Sequence, residues 1–357
     1  MCCRGGRVLW WCGPVAASPV GADGEERGTT MGGGLQRAGY FLGAAMREYL
    51  PGRWTVARRR LVARLPERLE DVPGDVLDRV AYYNRLDAPI GDLPPVRLGD
   101  MSIGTTDRSG KLYYIDLMRD AQGFGPEFRI APLFGDVIHV PDAPSLVKSR
   151  PIAGDVAHSV LLPLDALRHF HFPKDPRSWA DKRPTAVWRG MLNGQAPRIA
   201  AVRLYADSSV HDIGQVHDAE GLAPPKGWLS IAQQLEHRYV LSLEGNDVAT
   251  NLKWIMASNS VALAPKLDYE TWYMEGRLEP GVHFVQIRAD LSDLDERIAW
   301  CEANPHEVER IVRNAQDWVR QFRDPARERL IAALVLQKYA EMTGGLGLTS
   351  SPVRLFT

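Results

Sequence analysis

Apolar positions in this chain alternate between short unbroken runs and helical spacing, and the alternation is clearest between residues 239 and 264. Tyr239-Val240-Leu241-Ser242-Leu243 is an apolar run that leads into the polar turn Glu244-Gly245-Asn246-Asp247-Val248-Ala249-Thr250-Asn251-Leu252-Lys253. Val248, Leu252, Ile255 and Met256 then share one helical face, and a second apolar run, Ser260-Val261-Ala262-Leu263-Ala264, follows. Strand, Gly-containing turn, helix and strand in that order predict a βαβ unit of a parallel sheet. Ligands of such sheets sit outside the carboxyl ends of the strands, at turns of this kind. The acids, amides, hydroxyl and lysine of this turn suit a polar ligand bearing hydroxyls and phosphate.

The same rhythms organise the rest of the chain. Residues 35–70 are basic and amphipathic, with Arg53, Arg58, Arg59, Arg60, Arg64 and Arg68 interleaved with Trp54, Val56, Leu61, Val62 and Leu65. This pattern describes a helix with a solvated charged face, and it also permits contact with an anionic membrane. From Pro73 a helix reads through Val76, Leu77, Val80 and Tyr83, and strand-like runs follow at 112–117 and 137–140. A second unit begins at Lys182-Arg183-Pro184. It has a strand at 185–188, a helix opening at Pro197-Arg198, a strand at 212–216, a helix at 230–237, the βαβ unit and a strand at 283–287. Asn304-Pro305 and Asp324-Pro325 each open a C-terminal helix with a cap followed by proline. The expected architecture is two α/β domains with a helical tail. The domains span residues 35–182 and 183–322, with a C-terminal helix and tail at 323–357. Residues 1–34 read as an upstream extension, because the apolar stretch Val8-Leu9-Trp10-Trp11 is short and a second methionine, Met31, precedes Gly32-Gly33-Gly34.

Composition narrows the function classes. The 357 residues are 45% hydrophobic and 24% charged, enough for substantial cores, and the net charge of −1 leaves no excess of cations for bulk nucleic-acid binding. Cys2, Cys3, Cys12 and Cys301 form no disulfide framework, which favours a reducing compartment and a cytoplasmic protein.

Several residues are candidates for chemistry. Arg189 and Arg198 flank the loop after the strand at 185–188. Arg198 stands at a predicted helix N-terminus, where free N–H groups and the helix dipole favour anions. An arginine there is suited to clamping phosphate, and equally to a surface salt bridge. Asp136, in Phe134-Gly135-Asp136-Val137, could act as general base toward a hydroxyl, although a Gly-Asp pair more often marks a turn. His169 and His171 share a face if their segment is extended, which suits hydrogen bonding to sugar or phosphate, a structural role, or a metal lacking an evident third ligand. Asp293 and Asp295 resemble a divalent-cation pair, but first-turn carboxylates of a helix explain them adequately. Tyr269, Trp272 and Tyr273 fit carbohydrate stacking or an ordinary half-buried helix.

Taken together, these motifs resemble the bacterial branch of glycosyltransferase family 90. The resemblance lies in Trp188-Arg189-Gly190, in Glu244 to Trp254, in Tyr269-Glu-Thr-Trp-Tyr-Met-Glu-Gly276, in Leu278-Glu-Pro280 with His283-Phe-Val285, and in Asp290-Leu-Ser-Asp-Leu294. Phe134-Gly-Asp136, Lys148-Ser-Arg150-Pro151 and Arg168-His-Phe-His-Phe172 agree in type and order, so the similarity runs from about Tyr82 to Gly344. It includes lipopolysaccharide-modifying, capsule-associated and protein O-glucosyltransferases. The resemblance implies a GT-B fold, two Rossmann-like domains facing a cleft, and inverting transfer from a UDP-sugar to a glycan or glycolipid acceptor with no obligatory metal or other cofactor. It places the catalytic aspartate at Asp136. The nucleotide-sugar site falls at Arg189, Gly190, Arg198, Gly245, Asn246, Asp247, Thr250, Asn251 and Lys253. Asn251 stands where animal members carry arginine, and Lys253 is the expected replacement for that charge. The rival expectations are a metal-dependent GT-A-type transferase using Asp293 and Asp295, and a non-catalytic glycan-binding protein.

Overall fold

The structure is a computed structural model that describes residues 32–90, 94–345 and 354–356. Most of the expected N-terminal extension, with Cys2, Cys3 and Cys12, lies outside the described residues.

The second half is built on a parallel sheet of five strands, Arg183–Gly190, Asp212–Gln215, His237–Leu241, Val261–Ala264 and Val285–Gln286. Ala186, Val187, Trp188, Tyr239, Val240, Leu241 and all of Val261–Ala264 are buried, as expected for strands covered on both faces. Numbered along the chain, the strands lie in the order 2-1-3-4-5 across the sheet. The order reverses between Arg183–Gly190 and His237–Leu241, and this switch point is where a doubly wound sheet opens a crevice. The helix Ala196–Tyr205, with Pro197 in its first turn, follows the first strand as expected.

Some elements differ from the expectations. The helix of the βαβ unit is only Leu252–Met256, and all five of its residues are buried. Its apolar positions therefore mark a helix enclosed on every side, and Val248 sits in the turn before it. The helix expected at 230–237 is the single turn Ile231–Gln234, closed by a capping box between Ser230 and Gln233; the strand begins at His237. The run at 112–117 is part of a helix, Lys111–Ala121, in which Tyr113, Tyr114, Ile115, Leu117 and Met118 are buried. A short apolar run cannot by itself separate a buried helix from a buried strand. The run at 137–140 forms no strand; Gly135 takes a left-handed φ of 115° just before it, and Ile138 and Val140 face solvent.

The first half holds a smaller parallel sheet, Pro132–Leu133, Ser145–Val147 and Ser159–Leu161, surrounded by helices. The C-terminal helix Pro325–Thr343 starts on the Asp324 carboxylate, which accepts from the Ala326 and Arg327 amides at 2.9 and 3.2 Å. It returns to this first half: Tyr339 Oη donates to the Pro144 carbonyl at 3.0 Å and accepts from the Ala131 amide at 3.1 Å.

The two halves are joined by strand pairing. Ser149–Pro151 runs antiparallel to Tyr269–Thr271, with Arg150 opposite Glu270. Arg150 Nε donates to Glu270 Oε1 at 2.7 Å, with both side chains fully buried. The remaining guanidinium N–H groups reach the carbonyls of Ser159 at 2.9 Å and Tyr82 at 2.8 Å, and Tyr82 Oη donates to Glu270. Removing one partner of a buried ion pair strands the other charge and costs about 3–5 kcal/mol. Glu270→Ala should therefore lower unfolding free energy by about that amount in urea titration. The double variant Arg150→Met/Glu270→Leu should recover much of the loss.

Candidate active site

The polar turn lies at the sheet's switch point, and its backbone explains its composition. Gly245 N–H donates to the Asp247 carbonyl at 3.0 Å, and Asn251 Nδ2 donates to the Leu241 carbonyl at 2.8 Å, so the amide ties the end of the strand to the start of the helix. Arg198 is buried beneath the turn. Its Nη2 donates to Leu243 O at 3.0 Å, its Nε to Glu244 O at 3.0 Å and its Nη1 to Met191 O at 2.6 Å. This one side chain gathers the carboxyl ends of the two strands that flank the switch point. A β-carbon on residue 245 would stand 2.7 Å from Arg198 Nη2, which is why glycine is needed there. Gly190 meets the same constraint from the Trp188 ring, also at 2.7 Å.

Asp136 comes to this turn from the first half of the chain. Asn246 Nδ2 donates to Asp136 Oδ2 at 3.2 Å, and Tyr113 Oη reaches Oδ1 at 3.5 Å. Between them stands Lys148, whose ammonium donates to Asp136 Oδ1 and pairs with Asp247 Oδ2 at 2.8 Å. Lys148 is 1% exposed and Asp247 3%, whereas Asp136 is only half-buried and opens to solvent. Burial works against the charge on Lys148, but the carboxylate of Asp247, with Tyr113 and Asp136, outweighs it and raises the ammonium above its ordinary pKa. Burial likewise pushes Asp136 up; attraction and hydrogen bonding from Lys148, then Arg168 and Asn246, overcome it and hold the carboxyl below the usual range. The result is an ionised, half-open carboxylate with a buried cation behind it, beside the switch-point turn of the parallel sheet.

The remaining expected residues take other positions. Arg189 is directed to the opposite side of its strand, where Nη2 pairs with Asp212 at 2.6 Å and Nε donates to Gly227 O at 3.0 Å. Thr250 is half-buried within the turn. Lys253, expected to add charge at Asn251, points inward and pairs with buried Glu275 at 2.7 Å. A lysine in the first turn of a helix enclosed on all sides must find a buried partner, and Glu275 is that partner. Asp293 and Asp295 diverge: Asp293 is buried, accepting from Arg288 N at 2.8 Å and Arg297 Nε at 3.1 Å, while exposed Asp295 meets His211 Nε2 at 2.9 Å. His169 and His171 do not share a face, because Ala166–His169 is a helical turn; His169 is buried and His171 exposed. Burial, with Lys253, Lys148 and Arg168 nearby, depresses the His169 pKa and keeps the imidazole neutral. Trp272 and Tyr273 belong to the core, with Trp272 stacked on Tyr83 at 3.8 Å, and their segment is a strand with a 3-10 turn rather than a helix.

Sequence reasoning gave Lys148 no role of its own. The available signal is a lysine within Ser145-Leu146-Val147-Lys148-Ser149-Arg150, a strand-forming stretch in which every side chain is buried. A buried cation of that kind requires carboxylate partners. Glu244, the first residue of the turn, supplies a pH-sensitive element. Burial raises its pKa to about 8, against the opposing hydrogen bonds from the Tyr269 and Asp268 amides. Its folded pKa exceeds its ordinary value of 4.5, so the folded state holds a proton that the unfolded chain releases. Its contribution to stability should be full below pH 4.5 and lost as pH rises through about 8. Glu244→Gln should flatten the fall in Tm across that window, read by thermal melts at a series of pH values.

The sequence model of glycosyl transferase family 90 matches residues 166–343. O-glucosyltransferase LpsA of Dichelobacter nodosus is 43% identical over 279 residues, which cover 76% of this chain and 86% of that protein. Protein O-glucosyltransferase 3 of Homo sapiens is 30% identical over 174 residues, 46% of this chain and 33% of that longer protein. Protein O-glucosyltransferase 2 of Danio rerio is 27% identical over 172 residues. With a matching family model that spans the switch-point sheet, and a relative aligned over most of both chains, the protein belongs to glycosyltransferase family 90.

Proposed function

We propose that the protein moves a hexose or pentose from a UDP-sugar to a hydroxyl of a lipopolysaccharide-core or other surface glycan, inverting the anomeric centre. The observation that carries this reading is the meeting of Asp136, from the first half, with Asn246 at 3.2 Å and, through Lys148, with Asp247 of the switch-point turn. In this reading the larger sheet takes the donor and the first half takes the acceptor, in the manner of a GT-B enzyme. The acceptor hydroxyl gives its proton to the Asp136 carboxylate as its oxygen bonds to the anomeric carbon. The bond from that carbon to the diphosphate oxygen breaks, and its electron pair leaves with UDP. Arg198, buried beneath the turn, acts through its charge from behind while the N–H groups of the turn meet the charge developing on the diphosphate. No obligatory cofactor enters this scheme. The names of the relatives make UDP-glucose the first donor to test. An acceptor carried on a lipid would bring the reaction to a membrane surface, with the catalytic chain on its cytoplasmic side.

Transfer and acceptor-free hydrolysis should both be measured with purified protein and UDP-sugars, since a binding protein without catalytic activity would release no UDP. Asp136→Asn should lower turnover about 10²- to 10⁴-fold while UDP binding persists. Wild-type turnover in that variant would remove Asp136 as the base. Lys148 holds the Asp136 pKa down, so the acid limb of the rate profile lies at low pH. Lys148→Met should move that limb to higher pH, because protonated Asp136 accepts no proton. Arg198→Ala should weaken donor binding and cost about 2–4 kcal/mol of transition-state stabilisation, read from kcat/KM.

A further inference from the structure

Seven of the twelve exposed large apolar side chains among the described residues lie between residues 41 and 62: Phe41, Leu42, Met46, Tyr49, Leu50, Val56 and Val62. On the helix Gly32–Tyr49, Leu42, Met46 and Tyr49 are spaced to fall on one face, and they are 64%, 54% and 73% exposed. The opposite side of the helix is anchored. Ala44 is buried, and the Glu48 carboxylate accepts from Ile103 N at 3.0 Å and Tyr114 Oη at 2.7 Å. Leu50, 53% exposed, continues the apolar strip through the left-handed corner at Gly52 into the helix Arg53–Val62. There Val56 and Val62 alternate with exposed Arg59 and Arg60. Beside this helix lies a hollow of about 590 Å³, lined by Trp54, Arg58, Arg59, Val62, Phe124 and Glu127, the last paired with Arg97. Glu48 is the one acid between residues 38 and 64, and it is turned inward.

We propose that these two helices form a docking face for an anionic bilayer. The apolar strip enters the boundary between headgroups and acyl chains, and the arginines lie among lipid phosphates. The signs of charge favour this occupant, since the two helices carry exposed arginines and no outward acid of their own, and the nearby Glu127 is already paired with Arg97. The position is also informative. Tyr40 Oη donates to the Leu112 carbonyl at 3.4 Å, and the next residue, Tyr113, reaches Asp136 at 3.5 Å. Ile138 and Val140, exposed just beyond Asp136, extend apolar surface at the base itself. The docking face is thus carried on the same half of the chain as Asp136, packed on the helix that supplies Tyr113. No helix among the described residues is long and apolar enough to cross a membrane, so the contact is peripheral.

The test is co-sedimentation of the full chain with vesicles of phosphatidylcholine alone or mixed in equal parts with phosphatidylglycerol. Binding should require phosphatidylglycerol and fall when ionic strength is raised to roughly 1 M, where charges are screened within about 3 Å. Leu42→Ser/Met46→Ser/Tyr49→Ser and Arg59→Gln/Arg60→Gln should each lower the partition constant about tenfold or more, with unchanged thermal melts. Trp300→Ser removes an exposed apolar side chain from the second half and should leave binding intact. Failure of the wild-type chain to sediment with anionic vesicles at low salt would overturn the proposal, as would equal binding by both multiple variants. A dimer in light scattering that Leu42→Ser/Met46→Ser/Tyr49→Ser disperses, without vesicle binding, would assign the face to a second copy and also overturn it. UDP-sugar hydrolysis in vesicle-free solution reads the transfer reaction separately, so neither result decides the other.

Discussion

The buried pairing of Arg150 with Glu270 is the constraint on which the site depends. It lies in the short antiparallel ladder that connects the two halves, and it admits no slippage. Shifting either strand by one residue would turn a buried charge toward the wrong face and leave it without a partner. Lys148 stands two residues before Arg150, at the bend between the strands Ser145–Val147 and Ser149–Pro151, so anchoring Arg150 on Glu270 also fixes the backbone from which Lys148 projects. A charge pair of doubtful net worth for stability thus acquires a positional consequence: one lysine is held between carboxylates from opposite ends of the sequence.

That lysine sets the electrostatics of the crevice. Asp136 and Asp247 would repel each other if brought together alone; with the Lys148 ammonium between them they form a compact arrangement, one carboxylate buried and the other half-open. Asp136 is thereby held ionised. In the proposed reaction the cost would be a weaker base, since the same attraction that keeps the proton off resists its return. An acceptor hydroxyl that hydrogen-bonds to Asp136, or a donor diphosphate that draws on the Lys148 charge, would shift that balance toward proton uptake as the reaction proceeds. Arg198 complements this from below, gathering the carbonyls of Met191, Leu243 and Glu244, so the ends of the two strands beside the switch point are fixed by side-chain-to-backbone contacts.

Much of this was legible along the chain. The strand, turn, helix and strand around Glu244 were evident because a fully buried parallel strand leaves a continuous apolar run, and the C-terminal helices were evident from their cap-plus-proline openings. Three of the departures share an origin. At 113–118, 252–256 and 270–275 every residue is buried, so one-sided periodicity disappears and a helix, a strand and a 3-10 turn become hard to tell apart. Lys253 illustrates the same limit for chemistry. Its place in the turn suggested a ligand contact, but the enclosure of its helix required a buried carboxylate, and Glu275 stands ready for it.

The amino-acid sequence determined the local grammar: the order strand, turn, helix and strand around Glu244, the openings of the C-terminal helices, and the motifs that mark the family. These depend on propensity, caps and spacing, all short-range properties. Tertiary structure alone decided which charges meet. Asp136 and Asn246 are 110 positions apart, and Lys148 reaches both Asp136 and Asp247 only because strand order and register bring the two halves into contact. Coulombic attraction and desolvation depend on distance and burial in three dimensions, and no spacing along the chain encodes either one.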